Sequence, residues 1–311
     1  MGVEHRSRAI YVMSPAGAIR DPAVLERGVA HLRALGFTVT LDPAAAGRYQ
    51  RFSGTDEERL AAFERALAQP ADIVMATRGG YGLSRLLPRL DWAAWAASGK
   101  RFVGYSDCTA FSLGLLAQTG AGSDAGPMVC SDFGVQTPDP GMTASFLGAV
   151  RQAQVLADFV PELPAGAFRG DIAGADSPEL DCSGMLWGGN LALLVSLIGT
   201  PYLPAVQGGI LFLEDVSEAP FRVERMLSQL LHAGILARQK AILLGRFTDS
   251  GHPDKQDGHD LVQVFEWLAR QVSTPLIGGL PHGHVPEILT LPVGAQARLT
   301  LQSGRARLVR A

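Results

Sequence analysis

Three short segments of this 311-residue chain place reactive side chains where a hydrophobic run gives way to a turn. The first is Gly104-Tyr-Ser106-Asp-Cys-Thr109. A strand that turns sharply at a serine and continues as a helix exposes the hydroxyl at the sheet edge. It also aims the first amides of the helix at any oxyanion formed nearby. The segment departs from GxSxG, because Cys108 stands where the second glycine would be. The competing reading is that Ser106 or Asp107 only caps the helix starting near Thr109.

A serine nucleophile needs a base. Of seven histidines, His5 lies at the terminus, and His31 and His232 sit within amphipathic helical patterns. His252 and His259 flank a polar loop with Asp254 and Asp257, at a spacing that fits no ligand template. His282 and His284, in Leu280-Pro-His-Gly-His-Val-Pro286, are framed by Pro and Gly that fix side-chain direction. They are candidates for a base, for a His-x-His metal site lacking a third nearby ligand, or for two surface histidines. A base needs an orienting carboxylate. Glu214 ends the apolar strand Gly209–Leu213, and Asp215 competes with it. Either acid could instead cap the helix near Pro220 or pair with Arg222. The fourth feature, Thr77-Arg-Gly-Gly-Tyr-Gly82, has neither GxGxxG spacing nor a P-loop lysine. An oxyanion-hole amide from Gly79 or Gly80 is its more economical use, and a plain tight turn is the alternative.

The elements that must position these residues alternate. Ala9–Ser14, Phe37–Leu41, Asp72–Thr77 and Arg101–Tyr105 read as strands, with Pro127–Ser131 as a fifth. Between them lie helices over Val24–Leu35, from the capping box Thr55-Asp-Glu-Glu58 to about Gln69, and over Thr109–Gln118. This rhythm predicts an α/β fold with a parallel sheet covered on both faces, whose ligands sit at the carboxyl ends of the strands. The Pro- and Gly-rich stretch 152–181 reads as a linker between an N-terminal domain, 1–151, and a C-terminal one, 182–311. The latter ends in short strands near Ile288–Leu291, Ala297–Leu301 and Ala306–Val309, joined by turns such as Gln302-Ser-Gly304.

Composition narrows the function. Twenty-seven basic against 30 acidic residues give a net charge of −3, which argues against nucleic acid or an anionic membrane as partner. Three scattered cysteines form no CxxC pair and no disulfide framework. No apolar run approaches 18 residues, and Ala9–Met13 is too short for a secretion signal, so the expectation is a cytoplasmic chain.

Taken in order, Arg78-Gly-Gly-Tyr-Gly82, Gly104-Tyr-Ser-Asp-Cys-Thr109, Trp187-Gly-Gly-Asn-Leu191, Gly199-Thr-Pro-Tyr202, Phe212-Leu-Glu-Asp215 and Gly283-His284 resemble the LD-carboxypeptidases, or muramoyltetrapeptide carboxypeptidases, a family of serine peptidases. The resemblance spans the chain from Ser14-Pro15 to Leu291-Pro-Val-Gly294. It implies a parallel-sheet, flavodoxin-like N-terminal domain carrying the nucleophile Ser106. It also implies a C-terminal domain with a β-barrel-like mixed sheet carrying Glu214 and the base His284. The implied oxyanion amides are those of Asp107 and Gly80. No cofactor or metal is implied. The implied substrate is a murein tetrapeptide losing its terminal D-Ala, with a homodimer acting in cytoplasmic recycling of cell-wall peptides. Arg78 is our own candidate for the substrate's terminal carboxylate. His282 departs from the family pattern, which has an apolar residue before Gly-His.

Three rivals stay open. A microcin C immunity-type peptidase of the same family would use the same triad and needs an aromatic surface for adenine. An α/β-hydrolase esterase shares the order Ser, acid, His but would show GxSxG and an HGGG-type loop. A non-catalytic small-molecule binding protein would be expected to carry an export signal.

Overall fold

The computed structural model describes residues 9–162, 164, 179–251 and 258–311. In the first half, strands β1 (Ala9–Met13), β2 (Thr38–Leu41), β3 (Ile73–Ala76), β4 (Arg101–Val103) and β5 (Ser123–Ala125) alternate with helices. These are α1 (Pro22–Ala34), α2 (Asp56–Ala68), α3 (Trp92–Ser98), α4 (Thr109–Thr119) and α5 (Pro140–Val150). β1 and β3 are almost wholly apolar and buried, as strands covered on both faces must be. The capping box of α2 forms as expected: Thr55 Oγ1 accepts from Glu58 N, and Glu58 Oε2 accepts from Thr55 N.

The strand order is β2-β1-β3-β4-β5, all parallel, which is the flavodoxin-like order. Its fifth strand is not Pro127–Ser131. That segment instead leads into a wound turn, Val129–Phe133, in which Asp132 Oδ2 accepts the Met128 N–H at 2.7 Å. The strand is the polar Ser123-Asp-Ala125. It tolerates burial because Asp124 is paired with Arg101, whose Nε lies 2.9 Å from Oδ2.

The second half contributes β6 (Val155–Phe159), β7 (Leu180–Asn190), β8 (Ile210–Val216), β9 (Ala241–Thr248) and β10 (Leu276–Ile277). It continues with β11 (Leu291–Val293), β12 (Gln296–Gln302) and β13 (Arg305–Arg310), and its helices are α6 (Leu191–Ser196), α7 (Pro220–His232) and α8 (Leu261–Gln271). A mixed sheet runs β10-β9-β8-β7-β12-β13-β6, parallel from β10 to β7 and antiparallel beyond. Past its two edge strands, Glu162 and Gly278 exchange both backbone bonds, at 3.0 and 2.7 Å. That bridge ties the two edges of the sheet together and gives the barrel-like closure the resemblance implies.

Two details depart from the expected division. The stretch read as a linker begins with a strand, β6, that belongs to the second sheet, and residues 165–178 lie outside the described residues. β11 crosses back to pair antiparallel with β5 as the edge of the first sheet. No helix among the described residues is long and apolar enough to cross a membrane.

Candidate active site

The loops after β1, β3 and β4 leave the carboxyl edge of the first sheet, where its strand order reverses. Ser106 follows β4 with φ of 62°, a left-handed conformation that a serine adopts only under constraint. It opens a single 3-10 turn that runs into α4, and neither Ser106 nor Asp107 makes a side-chain cap bond to that helix. The capping alternative therefore fails, and the serine sits partly exposed on a strained elbow. The missing second glycine has a packing explanation. A Cβ on Gly104 would lie 2.8 Å from Cys108 Sγ, so the buried sulfur fills the space that the first glycine leaves open.

The Arg78–Gly82 loop sits against this elbow. A Cβ on Gly79 would meet Ser106 Oγ at 2.8 Å and Asp107 N at 3.3 Å. Gly79 O accepts the Gly17 N–H at 3.1 Å. In a trans peptide the following N–H points the opposite way, so the Gly80 amide faces away from Gly17. The Asp107 carboxylate is buried and accepts the Leu83 N–H at 2.9 Å, tying the loop to the nucleophile turn. Arg78 is half-buried and donates from Nη1 to Ala18 O at 3.1 Å.

Glu214 and His284 meet at the second sheet. His284 Nδ1 lies 2.8 Å from Glu214 Oε2, and the carboxyl has no exposed surface. Gly283, with φ of 138°, makes this approach possible: a Cβ there would lie 2.8 Å from Arg246 O and 3.2 Å from Glu214 Oε2. Burial opposes charge on the imidazole. The bond to Glu214 and the charges of Glu214, Asp215 and Asp132 outweigh it and raise the His284 pKa above its ordinary value. Neither acid at the end of β8 caps α7, whose N-cap is Ala219, and Arg222 pairs with Glu218 instead. Asp215 accepts from Asn190 Nδ2 at 2.9 Å and from Ala192 N at 2.9 Å, which fixes the start of α6. Burial pushes its carboxyl up to about 6.

Sequence reasoning passed over the groups that join the two halves. Asn190 Nδ2 also reaches Glu214 Oε1, at 3.2 Å, so one amide holds both acids apart. Asn190 N donates to Thr109 Oγ1, on the helix behind Ser106, at 3.0 Å. Gly189, with φ of 135°, leaves room for that contact, since a Cβ there would come within 2.6 Å of the same hydroxyl. Tyr105, next to Ser106, packs edge-on against the His284 ring with centroids 4.9 Å apart. Its hydroxyl faces Asp132 Oδ1 at 3.4 Å. Burial raises the Asp132 carboxyl to about 7. The Trp187-Gly-Gly-Asn190 motif was the signal for Asn190; Tyr105 and Asp132 had none beyond their neighbours.

His282 is neither a surface residue nor turned toward His284's carboxylate. It is fully buried, its Nδ1 lies 2.9 Å from Leu289 O, and its ring packs edge-on to Phe212. Its carbonyl, accepting from Arg246 N at 2.8 Å, helps fix the loop that presents His284. Burial lowers its pKa, disfavouring the charged form. Among the described residues no group of three or more His, Cys, Asp or Glu could hold a metal ion. His259 pairs with Glu224 at 2.9 Å, while His252, Asp254 and Asp257 lie outside the described residues. A cleft of about 530 Å³ opens beside His284, lined by Tyr105, Asp132, Val135, Pro138 and Val285 among others. A larger hollow of about 740 Å³, near Leu116, Met185 and Lys240, touches none of Ser106, Glu214 or His284.

Sequence models of the LD-carboxypeptidase N-terminal and C-terminal domains match residues 10–126 and 183–299. The chain belongs to the LD-carboxypeptidase family. A murein tetrapeptide carboxypeptidase of Pseudomonas aeruginosa is 35% identical over 96% of this chain and 94% of its own. The microcin C7 self-immunity protein MccF of Escherichia coli is 29% identical over 87% and 83%. A crystal structure of muramoyltetrapeptide carboxypeptidase from Oxalobacter formigenes superposes with a TM-score of 0.86 at 38% identity, over 97% of this chain and 99% of that one. As an LD-carboxypeptidase family member, the protein is a hydrolase of the serine-peptidase type with the family's α/β fold.

Proposed function

We propose that this LD-carboxypeptidase releases the terminal D-Ala from murein tetrapeptides, with Ser106 as nucleophile, His284 as base and Glu214 as its orienting carboxylate. The observation that carries the reading is the 2.8 Å bond from His284 Nδ1 to a fully buried Glu214. That bond fixes the tautomer whose Nε2 is free to take a proton. Tyr105, packed on the imidazole and covalently joined to Ser106, supports their convergence.

The steps follow. Ser106 Oγ attacks the scissile carbonyl as its proton passes to His284 Nε2. Glu214 stabilises the imidazolium. The amides of Asp107 and Gly80 hold the oxyanion, with no reorganisation needed because the Gly17 and Leu83 bonds already fix their loop. His284 then protonates the leaving amine, and water resolves the acyl-enzyme by the reverse proton path. Arg78 receives the terminal carboxylate of the departing residue.

The two sheets correspond, in this reading, to two domains, with β6 in the second and β11 returned to the first. The resemblance further implies a homodimer and a cytoplasmic role in recycling cell-wall peptides. MccF-type cleavage is the rival within the family. Incubation with murein tetrapeptide, its all-L analogue and an aminoacyl nucleotide, followed by mass spectrometry, tests the proposal. Loss of D-Ala from the first alone is expected, and cleavage of the nucleotide alone would overturn it.

A further inference from the structure

We infer that Arg20, Arg48 and Arg51 form, together with the face of Tyr81, an anion subsite that takes a second carboxylate of the peptide substrate, upstream of the scissile bond. The inference rests on the proposed peptidase reading. It starts from one loop, residues 17–20, that is packed against the catalytic turn: Gly17 donates to Gly79 O, and Gly79 abuts Ser106.

Four arginines lie in or against that loop. Arg48 Nη2 donates to Ile19 O at 2.9 Å, and Arg78 Nη1 to Ala18 O at 3.1 Å. Arg51 accepts the Ala18 N–H at its carbonyl, at 3.0 Å, and lays its guanidinium 5.3 Å from the centroid of the Tyr81 ring. Arg20 ends the loop and is close enough to Arg78 to lower its pKa, second only to burial. The charge of Arg51 is felt at Asp107, the residue after the nucleophile.

None of the four makes a salt bridge with a described carboxylate, although acids outnumber bases in the chain. The nearby acid Asp56 is engaged by Arg59 and Arg85, Asp42 by Arg65, and Asp21 caps α1. Arginines without carboxylate partners on an exposed rim bias it toward an anion. Two of the four are anchored by backbone carbonyls and a third by an aromatic face, so little side-chain freedom remains to be lost on binding. Tyr81, about half exposed, gives the bound chain an apolar surface beside the charges.

The assignment separates two carboxylates. Arg78, half-buried and nearest the glycine loop, serves the terminal one; the three outer arginines serve the other. The test uses a tetrapeptide with a free carboxylate on its second residue, two before the terminal D-Ala, and the same peptide with that group as carboxamide. With the unaltered protein, the carboxylate peptide should show a KM about tenfold lower at equal kcat, on the scale of one charge-assisted bond. That advantage should shrink between 0.05 and 0.5 M NaCl. Arg20→Gln, which breaks no described contact, should lose part of it; Arg20→Gln/Arg48→Gln/Arg51→Gln should bring the ratio of the two KM values to about one. Equal KM values for the two peptides in the unaltered protein would overturn the inference. So would a triple variant that weakens both peptides alike but no longer distinguishes a terminal carboxylate from its amide, which would assign the rim to the leaving residue. Salt-dependent Kd values for the same two peptides, labelled with a fluorophore, read the subsite without turnover. An unaltered protein that binds the carboxylate form more tightly yet cleaves neither peptide would sink the peptidase reading and spare the subsite.

Discussion

The backbone N–H of Asn190 donates to Thr109 Oγ1 at 3.0 Å, joining the end of a strand in one sheet to the helix behind Ser106 in the other. Both groups are buried, and the side chain of the same asparagine holds Glu214. The hydroxyl acceptor is thus one residue from the carboxylate and three from the nucleophile. Thr109→Val keeps the shape and leaves the Asn190 amide unpaired. We expect a loss of about 1–3 kcal/mol in stability, read by urea denaturation. We also expect a fall in kcat larger than the change in KM, because what moves is one half of the site relative to the other.

Ser106 separates stability from activity. Ser106→Gly should stabilise the fold by about 1 kcal/mol, since glycine adopts φ of 62° without the penalty a serine carries. Ser106→Ala should lower D-Ala release by roughly four to six orders of magnitude, and the glycine variant should be equally inactive. A more stable and still active Ser106→Gly protein would remove the serine from the mechanism.

Glu214→Gln keeps the volume and can still meet Asn190, so the imidazole remains partly oriented. Turnover should drop by about 10²–10⁴, less than for the serine. The His284 pKa should also fall, because the partner that raises it has lost its charge.

The pH profile follows from two shifts. His284 works as a base only when neutral, and its pKa lies above the imidazole norm, so kcat/KM should climb with pH along a limb displaced above about 6.5. Asp132 carries the opposite stability sign to an ordinary paired acid. Its folded pKa, about 7, exceeds the unfolded value, so the folded form binds more protons and stability falls as pH rises between the two. Asp132→Asn should therefore raise Tm relative to the unaltered protein at pH 8 but not at pH 4. It should move the acid limb downward by removing a negative charge near His284.

Gly104 and Cys108 should be coupled. Gly104→Ala forces its methyl onto the buried sulfur and should cost about 1–3 kcal/mol. Combining it with Cys108→Gly should recover part of that, with the cycle closed by thermal denaturation of all four proteins. Activity in every active form should survive a chelator, since no step uses a metal.

Much of the first sheet was legible because β1, β3 and β4 are buried and read as apolar runs, while the edge strand β2 alternates. β5 was not, since Ser123-Asp-Ala125 gains its place through Arg101, twenty-odd residues away, and no local pattern reports a distant partner. The glycine-rich turns were visible as turns, but their use was not: Gly79 and Gly283 matter for what approaches them. Ser106, Glu214 and His284 were each ambiguous alone and became specific only as an ordered set. Asn190 escaped notice as a partner because a neutral amide carries no charge signature. His282 misled because burial of a histidine depends on the packing of Phe212 and Leu289 around it.

The return of β11 to the first sheet has a consequence for how this molecule can be taken apart. The segment bearing His284 leaves β10 in one sheet and is stitched into the other at Leu291, only seven residues past that histidine. No single cut can release two intact modules: a piece holding the nucleophile would lack its edge strand, and the remainder would carry an orphaned one. Recombining such pieces between homologous enzymes should succeed only when that crossing ribbon travels with both its landing sites.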